Sequence, residues 1–183
     1  MNKPGFCVWF TGLSGSGKTT IAIELEKELL KRRLRVQRLD GDIVRKSLTR
    51  DLGFSEEDRK KNIERVTFVA RMLSKHGVAT LVSFISPYRE GRDNARKEVN
   101  EENASFIEVF VKASVDCCAS RDTKGLYKKA IAGEIPNFTG VNHPYEEPLK
   151  PEVICDTEHE TLLQSTKKVI SYLEKNKLIP IKK

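Results

Sequence analysis

The sequence predicts an α/β protein built in three layers, with a parallel sheet covered by helices on both faces. Short apolar runs rich in β-forming residues alternate with segments whose apolar residues recur every three or four positions. Strands that alternate with helices in this way form parallel, doubly wound sheets. A glycine-rich loop also separates the first apolar run from the first amphipathic segment, as at a phosphate-binding helix N-terminus.

Five short apolar runs predict the strands of this sheet. They cover Phe6–Phe10, Val36–Leu39, Val78–Ile85, Phe106–Val111 and Val153–Cys155. Near-continuous apolar runs are typical of parallel strands that are buried on both faces. The sequence therefore predicts a single sheet whose carboxyl edge is available for ligands.

Helix start and stop signals lie between the strands. Apolar residues four apart predict a helix from Thr19 to Arg33. Ser55, with Asp58 three residues later, indicates the start of a long helix, and Gly77 indicates its end. Ile63, Val66, Ala70 and Leu73 supply the inward face of that helix.

The same capping signal predicts the last helix. Thr157 is followed three residues later by Glu160, which favours a helix start at Thr157. The residues that such a helix turns inward are Leu162, Val169 and Leu173.

The segment from Asp122 to Pro151 has a different character. It contains three glycines, four prolines and one short helical stretch around Tyr127–Ala132. A long irregular segment inside a compact domain is usually functional. We expect it to form a mobile lid, about residues 122–151, on a single domain of residues 1–183.

Composition narrows the class of protein. Apolar residues make up 38% and charged residues 32%, and no run is long enough to cross a membrane or resembles a signal peptide. The net charge of +7 suits nucleic acid, an anionic membrane or small anionic substrates. Much of it lies in Lys31–Arg35 and Lys182–Lys183, which the pattern indicates are solvated helix-end and tail residues. We expect a cytoplasmic protein that binds neither nucleic acid nor membranes.

The four cysteines are Cys7, Cys117, Cys118 and Cys155. They form no C-x-x-C pair and no histidine stands at zinc-ligand spacing, so neither a metal site nor a disulfide framework is indicated. We expect four buried thiols.

The segment Gly12–Thr19 fits the pattern G-x-x-x-x-G-K-[ST] of a phosphate-binding loop. Its backbone N–H groups converge on phosphate oxygens, Lys18 reaches the β- and γ-phosphates, and the Thr19 hydroxyl is a ligand for Mg²⁺. ATP and Mg²⁺ are the cofactors that this loop predicts. The candidate ATP-binding residues are Gly12, Leu13, Ser14, Gly15, Ser16, Gly17, Lys18, Thr19 and Thr20.

Asp40-Gly41-Asp42 follows the second predicted strand, at the edge where α/β sheets bind ligands. One carboxylate can accept the proton of an attacking hydroxyl while the other positions it or helps to hold magnesium. A simple turn with an N-capping aspartate is the alternative. The sequence does not decide which carboxylate is the base, and Asp40 is a candidate metal ligand.

Several other residues are candidates for the second substrate. Arg59 and Asn62 share a helix face, and Arg45 lies three residues beyond Asp42. For each arginine alone, the alternative is a solvated residue on a helix surface. For Phe54, the alternative is a hydrophobic staple. Ser86-Pro87 fits the start of a helix, with Ser86 as its N-cap, or an active-site hydroxyl. In the lid segment the candidate phosphate clamps are Arg121, Lys124, Lys128 and Lys129.

Taken in order, these pieces resemble adenylylsulfate kinase, a family of the P-loop kinase superfamily. The matching stretches, which span nearly the whole chain, are Gly12–Thr19, Leu39–Asp42, Leu52–Ser55, Phe84–Tyr88, Lys124–Ala130 and Asn137–Gly140. The phosphate-binding loop is common to many nucleotide enzymes, whereas the Asp-Gly-Asp, Phe-Ile-Ser-Pro-Tyr and Phe-Thr-Gly segments together are specific to this family.

The resemblance implies a P-loop kinase fold and transfer of the ATP γ-phosphate to the 3′-hydroxyl of adenosine 5′-phosphosulfate (adenylylsulfate), which gives 3′-phosphoadenylylsulfate in sulfate assimilation. It implies that Phe54 and Phe138 enclose the acceptor adenine and that Arg121 lies against the ATP adenine. It places Ser86 at the position of a serine described in some members as a phosphoryl carrier. The other acceptor-binding residues that it implies are Asp42, Arg45, Arg59, Asn62, Ile85, Lys124 and Asn137.

The family is commonly dimeric, so a homodimer is expected, and ATP sulfurylase is a possible functional partner. Three positions depart from the family pattern: Ile43, Glu64 and Ile131. Glu64 and Ile131 are expected to weaken the local positive field. Two other functions stay open, namely a P-loop kinase for a related, cytidine diphosphate-linked nucleotide and a weakly active nucleotide-binding regulatory module.

Overall fold

The computed structural model describes residues 5–122 and 124–181, which form five strands and seven helices. The strands are β1 (Phe6–Thr11), β2 (Val36–Asp40), β3 (Ala79–Ser83), β4 (Ser105–Lys112) and β5 (Val153–Asp156). The helices are α1 (Lys18–Lys31), α2 (Gly41–Val44), α3 (Glu56–Lys75), α4 (Arg89–Glu101), α5 (Val115–Arg121), α6 (Leu126–Ile131) and α7 (Leu162–Lys175).

The five strands form one parallel sheet in the order β2-β3-β1-β4-β5. Strand β1 lies at its centre, paired with β3 on one side and β4 on the other. The strands that neighbour β1 in space are thus distant from it in sequence, so each connection crosses a face of the sheet through a helix. The predicted α/β, three-layer P-loop kinase fold is confirmed.

Strand β1 contributes to the core on both faces of the sheet, which explains its almost unbroken apolar sequence. Phe6, Val8 and Phe10 pack with the inward residues of α1 and α7. Cys7 and Trp9, which alternate with them, pack with residues of α3 and α4. Because successive side chains of a strand point to opposite faces, one strand joins the two outer layers.

Two of the helix boundaries follow the sequence signals closely. The Ser55 hydroxyl accepts a hydrogen bond from the Asp58 amide and caps α3. The same helix ends before Gly77, whose φ of 77° continues the chain in the left-handed region. Both predictions are confirmed, and Ile63, Val66 and Ala70 are buried on the inward face.

The predicted start of the last helix is wrong. Helix α7 begins at Leu162, capped by a reciprocal box between Thr161 and Gln164. Thr157 instead donates its hydroxyl to the Ser16 carbonyl oxygen at 2.8 Å. Leu162, expected to face inward, is 41% exposed because it lies in the first turn.

Of the two alternatives considered for Ser86, the N-cap of a helix is wrong. Helix α4 begins at Arg89 with Tyr88 as its N-cap, and β3 ends at Ser83 rather than Ile85. Ser86 has a φ of 41°, which is unfavourable for a residue with a Cβ atom. The loop between β3 and α4 therefore covers residues 84–88.

The cysteines and the basic cluster are partly as predicted. All four cysteines are free, but Cys117 is half-buried whereas the other three are buried.

In the basic cluster Lys31–Arg35, Arg32 is not simply solvated, because its guanidinium contacts Glu28 and Glu174. Lys182–Lys183 lie outside the described residues. None of the described helices is long and apolar enough to cross a membrane.

The capping box of α7 generates the first prediction. Replacing an N-cap threonine by alanine typically lowers the free energy of unfolding by about 1 kcal/mol. We expect that loss for Thr161→Ala in urea denaturation, while Thr161→Ser, which keeps the hydroxyl, stays within a few tenths of a kcal/mol of the wild type. An unchanged free energy of unfolding in the alanine variant would contradict the observed helix start.

Candidate active site

A cavity of about 760 Å³ lies at the carboxyl edge of the sheet. The loop between β1 and α1, which we call the phosphate loop (residues 12–17), forms one wall. The segment after β2, the face of α3 and the loop after β3 form the opposite wall, and residues of the lid segment cover both. A cavity of this size at this edge of a parallel sheet is where α/β proteins bind ligands.

The phosphate loop holds a buried cation. The Lys18 ammonium donates hydrogen bonds to the carbonyl oxygens of Gly12 (3.0 Å) and Leu13 (2.7 Å). Only 8% of the residue is exposed, and burial lowers the pKa of Lys18 to about 8. Gly12 has to be a glycine because a Cβ there would lie 2.4 Å from the Val111 carbonyl oxygen. The loop therefore holds a positive charge at the floor of the cavity.

Two oxygen groups meet beside Lys18. The Thr19 hydroxyl donates to the Asp40 carboxylate at 2.8 Å, and the other oxygen of Asp40 accepts the Asp42 amide at 3.0 Å. Asp40 is buried, whereas the Asp42 side chain is 69% exposed and forms an ion pair with Lys124 of the lid. Asp40 is the N-cap of the short helix α2, which was the alternative considered from the sequence. The two aspartates therefore differ both in burial and in their partners.

The opposite wall carries two arginines. Arg45 lies 4.4 Å above the Phe54 ring and donates to the carbonyl oxygens of Leu52 and Gly53. Arg59 donates to the Phe54 carbonyl at 3.0 Å. Burial lowers the pKa of both guanidinium groups, and the positive charge of Arg59 further lowers that of Arg45. An anion bound between them would relieve this repulsion.

Phe54 and Asn62 also belong to this wall, but Phe54 is exposed whereas Asn62 is buried. The Phe54 ring is 63% exposed, so it is not the buried hydrophobic staple considered from the sequence. Asn62 is buried, and its side-chain carbonyl oxygen has no hydrogen-bond partner among the described residues. A buried acceptor without a donor costs free energy, so Asn62 is an unsatisfied polar group in the wall of the cavity.

Ser86 is held on the floor of the cavity by a buried network. Its hydroxyl oxygen accepts a hydrogen bond from the Trp9 indole N–H at 3.1 Å. Its carbonyl oxygen accepts from Arg92 at 2.6 Å, and Arg92 also contacts the Glu108 carboxylate at 2.7 Å and the Glu146 carbonyl at 2.7 Å. These fixed partners explain how the serine keeps a φ that would otherwise be unfavourable.

The lid segment contacts both walls. Arg59 donates to the Thr139 hydroxyl at 2.6 Å and to the Asn137 carbonyl oxygen. On the other side, the Tyr127 hydroxyl donates to the carbonyl oxygen of Ser14 in the phosphate loop at 2.8 Å. Phe138 is half-buried against the Tyr127 ring. The lid thus closes the cavity from above, while its mobility stays a prediction.

Similarity to known proteins identifies the family. The family model described as adenylylsulphate kinase matches residues 4–156. The chain belongs to the adenylylsulfate kinase family. It is 60% identical over 170 residues to a probable adenylyl-sulfate kinase of Pseudomonas aeruginosa, covering 93% of this chain and 78% of that one.

Two further relatives agree. An adenylyl-sulfate kinase of Halothermothrix orenii is 56% identical over 173 residues, covering 94% of this chain and 91% of that one. The solved structure of the Mycobacterium tuberculosis APS kinase CysC in complex with AMPPNP and APS superposes with a TM-score of 0.90. Its sequence is 43% identical, and the match covers 93% of this chain and 98% of that one.

Most of the site residues expected from the sequence meet in the cavity. Of the twenty-one expected catalytic, ATP-binding or acceptor-binding residues, eighteen line it, namely Ser14, Gly15, Ser16, Gly17, Lys18, Thr19, Thr20, Asp40, Asp42, Arg45, Phe54, Arg59, Asn62, Ile85, Ser86, Arg121, Lys124 and Phe138. Gly12, Leu13 and Asn137 do not line it. Gly12 and Leu13 supply the carbonyl groups behind Lys18, and Asn137 supplies the carbonyl that Arg59 contacts.

The three departures from the adenylylsulfate kinase pattern lie outside the lining of the cavity. Ile43 and Ile131 are exposed to solvent. Glu64 borders a smaller cavity between α3 and α4, and its neighbour Arg65 is paired with Asp51. Lys128 and Lys129, considered as phosphate clamps, are likewise exposed and away from the lining.

Two functional candidates were missed in the sequence. Thr157 bridges the phosphate loop and Arg121, whose guanidinium donates to the Thr157 hydroxyl at 3.1 Å and to its carbonyl at 2.6 Å. Tyr127, on the lid helix α6, contacts the same loop. Thr157 carried only a helix-cap signal, and Tyr127 lay within the family-like stretch Lys124–Ala130 without a role of its own, so neither long-range contact was indicated.

The surroundings of Ser86 favour a positioning role over a phosphoryl carrier, because the residue is only 3% exposed and its hydroxyl oxygen accepts from Trp9. We expect Ser86→Ala to keep releasing ADP with adenylylsulfate. Its free energy of unfolding should fall by about 1–3 kcal/mol, because the buried Trp9 N–H loses its acceptor. Mass spectrometry of the wild type given ATP alone should show no added phosphoryl group. A phosphorylated wild type together with an inactive alanine variant would contradict this.

Proposed function

We propose that this protein transfers the γ-phosphate of ATP to the 3′-hydroxyl of adenylylsulfate, giving 3′-phosphoadenylylsulfate and ADP. One observation carries the proposal: a single cavity joins a phosphate loop with a buried lysine to a second wall that offers two arginines and an exposed aromatic ring. A kinase needs both features, because it must bring a donor phosphate and an acceptor hydroxyl together.

The donor half of the cavity suits a triphosphate. The backbone N–H groups of the phosphate loop and the N-terminus of α1 favour the α- and β-phosphates, and Lys18 is positioned for the β- and γ-phosphates. Arg121, which is hydrogen-bonded to Thr157, lines the part of the cavity in which we place the ATP adenine. Fixing these groups before the reaction means that little reorganisation is needed when charge shifts onto the transferred phosphate.

The residues beside Lys18 also fit Mg²⁺. Thr19 and Asp40 place a hydroxyl and a carboxylate oxygen 2.8 Å apart, and Mg²⁺ prefers such oxygen ligands together with phosphates. When bound, the ion neutralises charge on the β- and γ-phosphates. We assign Thr19 and Asp40 as the residues that hold it.

We assign the general base to Asp42. Asp40 is buried and both of its oxygens already accept hydrogen bonds, from Thr19 and from the Asp42 amide. The Asp42 carboxylate lines the cavity, where it is 69% exposed and lies against Lys124 of the lid. A carboxylate that is ionised and within reach of the acceptor hydroxyl can take its proton during transfer.

The acceptor half suits adenylylsulfate. Arg45 and Arg59 supply positive charge for the phosphosulfate, and Phe54 and Phe138 offer ring faces for the adenine. Asn62 supplies a carbonyl oxygen that needs a donor, Ile85 an apolar contact, and Lys124 a further cation. Arg59 now contacts the lid, so we propose that the bound anion shares or replaces those contacts.

Residues 1–183 are proposed to form a single kinase domain with a mobile lid at about residues 122–151. By resemblance to the family we propose a homodimer located in the cytoplasm. ATP sulfurylase is the proposed functional partner, since an enzyme that makes adenylylsulfate from ATP and sulfate supplies the acceptor.

A coupled ADP-release assay tests the proposed reaction. Adenylylsulfate, AMP and a cytidine diphosphate-linked acceptor are offered in parallel under the same MgATP concentration. We expect turnover with adenylylsulfate and at least about tenfold lower kcat/KM with AMP, because AMP lacks the sulfuryl group that the arginines contact. Preference for the cytidine nucleotide, or nucleotide binding without turnover, would overturn the proposal.

Arg59 provides the sharpest test of the acceptor half. A hydrogen bond from a charged group is worth roughly 1.5–3 kcal/mol, so Arg59→Ala should lower kcat/KM for adenylylsulfate by about 10- to 100-fold. The KM for ATP should hardly change. Arg65→Ala is the matched control, because Arg65 lies on the same helix but pairs with Asp51 away from the cavity. A higher KM for ATP with unchanged adenylylsulfate kinetics would assign this helix face to the donor.

A further inference from the structure

Tyr127 lies between the two halves of the cavity. It belongs to the short lid helix α6, and only 2% of the residue is exposed. Its hydroxyl donates to the carbonyl oxygen of Ser14 at 2.8 Å. Its ring meets the Phe138 ring edge to face, with centroids 4.9 Å apart and an interplanar angle of 76°. One side chain therefore contacts both the phosphate loop and the ring proposed for acceptor stacking.

The contact with Ser14 controls a donor group of the phosphate loop. The Ser14 carbonyl and the Gly15 N–H belong to one planar trans peptide, so they point in opposite directions. When the Tyr127 hydroxyl fixes the carbonyl, it also fixes the direction of the Gly15 N–H. Gly15 itself has a φ of 77° and lines the cavity, so this peptide is a part of the loop whose orientation matters for phosphate binding.

The contact with Phe138 extends to the acceptor wall. Thr139, the next residue, accepts a hydrogen bond from Arg59 on α3 at 2.6 Å. Arg59 and Phe138 are both proposed to contact adenylylsulfate. Ligand binding that shifts this part of the lid must therefore change the packing against the Tyr127 ring, because edge-to-face pairs depend on ring geometry.

The Tyr127 hydroxyl is a permanent donor. Burial raises the pKa of Tyr127 well above its usual value, and the neighbouring Cys118 raises it further. The hydroxyl therefore keeps its proton at any pH at which the protein functions. A change of pH in the functional range therefore does not remove the donor of its hydrogen bond to Ser14.

We propose that Tyr127 is a positioning residue that couples the two substrate sites, so that ATP and the acceptor nucleotide each strengthen the binding of the other. This inference rests on the proposed function, because it requires an acceptor in the Arg59 half of the cavity. An acceptor held by Arg59 and Phe138 stabilises the lid in the position in which Tyr127 holds Ser14, and this contact orients the phosphate loop for ATP. The coupling is reciprocal, as thermodynamic linkage requires.

The test measures the affinity of AMPPNP by calorimetry with and without saturating adenylylsulfate. The ratio of the two dissociation constants is the coupling factor. We expect a factor of at least about 5 in the wild type, which is the lower end for coupled sites. Tyr127→Phe removes only the hydroxyl and should bring the factor below about 2, as should Phe138→Leu, which removes the other contact. The double variant should show no further decrease.

Tyr172→Phe is the matched control, because it removes a tyrosine hydroxyl on α7 away from the cavity and should keep the wild-type coupling factor. If Tyr127 were merely structural, Tyr127→Phe would weaken both affinities equally and leave the ratio unchanged, which would overturn the inference. A wild-type coupling factor of 1 would also overturn it. Failure of the wild type to bind adenylylsulfate would refute the proposed acceptor itself, and the coupling with it.

Discussion

The arrangement of the cavity depends on one buried positive charge, the Lys18 ammonium held by the carbonyl oxygens of Gly12 and Leu13. Burial depresses its pKa to about 8, which corresponds to a cost on the order of 3 kcal/mol for keeping the group charged at neutral pH. The ligand-free protein is destabilised by that amount, and attraction between the ammonium and phosphate oxygens offsets it when a nucleotide binds. Two hydrogen bonds from outside the loop hold its backbone in place, one from Tyr127 to Ser14 and one from Thr157 to Ser16.

The sheet determines what can surround this charge. Because β1 lies between β3 and β4, the phosphate loop opens beside the segments that follow β2 and β3. Asp40 reaches Thr19 from β2, and Ser86 is held by Trp9 of β1 and Arg92 of α4. Parallel strands direct all their carboxyl ends to one edge, so residues far apart in sequence converge on one cavity. The lid then brings Lys124 to Asp42 and Thr139 to Arg59, joining the donor and acceptor halves.

The sequence predicted the parts of the molecule that depend on local chemistry. The phosphate loop, the cap at Ser55 and the alternation of strands and helices all follow from neighbouring residues. Thr157 and Thr161 show where local patterns no longer predict the structure. Each stands three residues before a glutamate or glutamine, and the long-range contact of Thr157 with Ser16 distinguishes them. Ser86 and Tyr127 show the same limit, since their positions are fixed by partners about 75 to 115 residues away. Such contacts leave no periodic signal in the chain.

The central claim is that the protein keeps a desolvated, charged lysine ready for the phosphates of ATP. It is tested by NMR titration of the Lys18 ammonium in protein labelled at lysine, with and without a nonhydrolysable ATP analogue, using Lys18→Arg to assign the signal. The account predicts a pKa of about 8 in the free protein and a rise towards or above the ordinary 10.5 when the nucleotide's negative charge is bound. A value near 10.5 in the free protein, or no change on nucleotide binding, would contradict it.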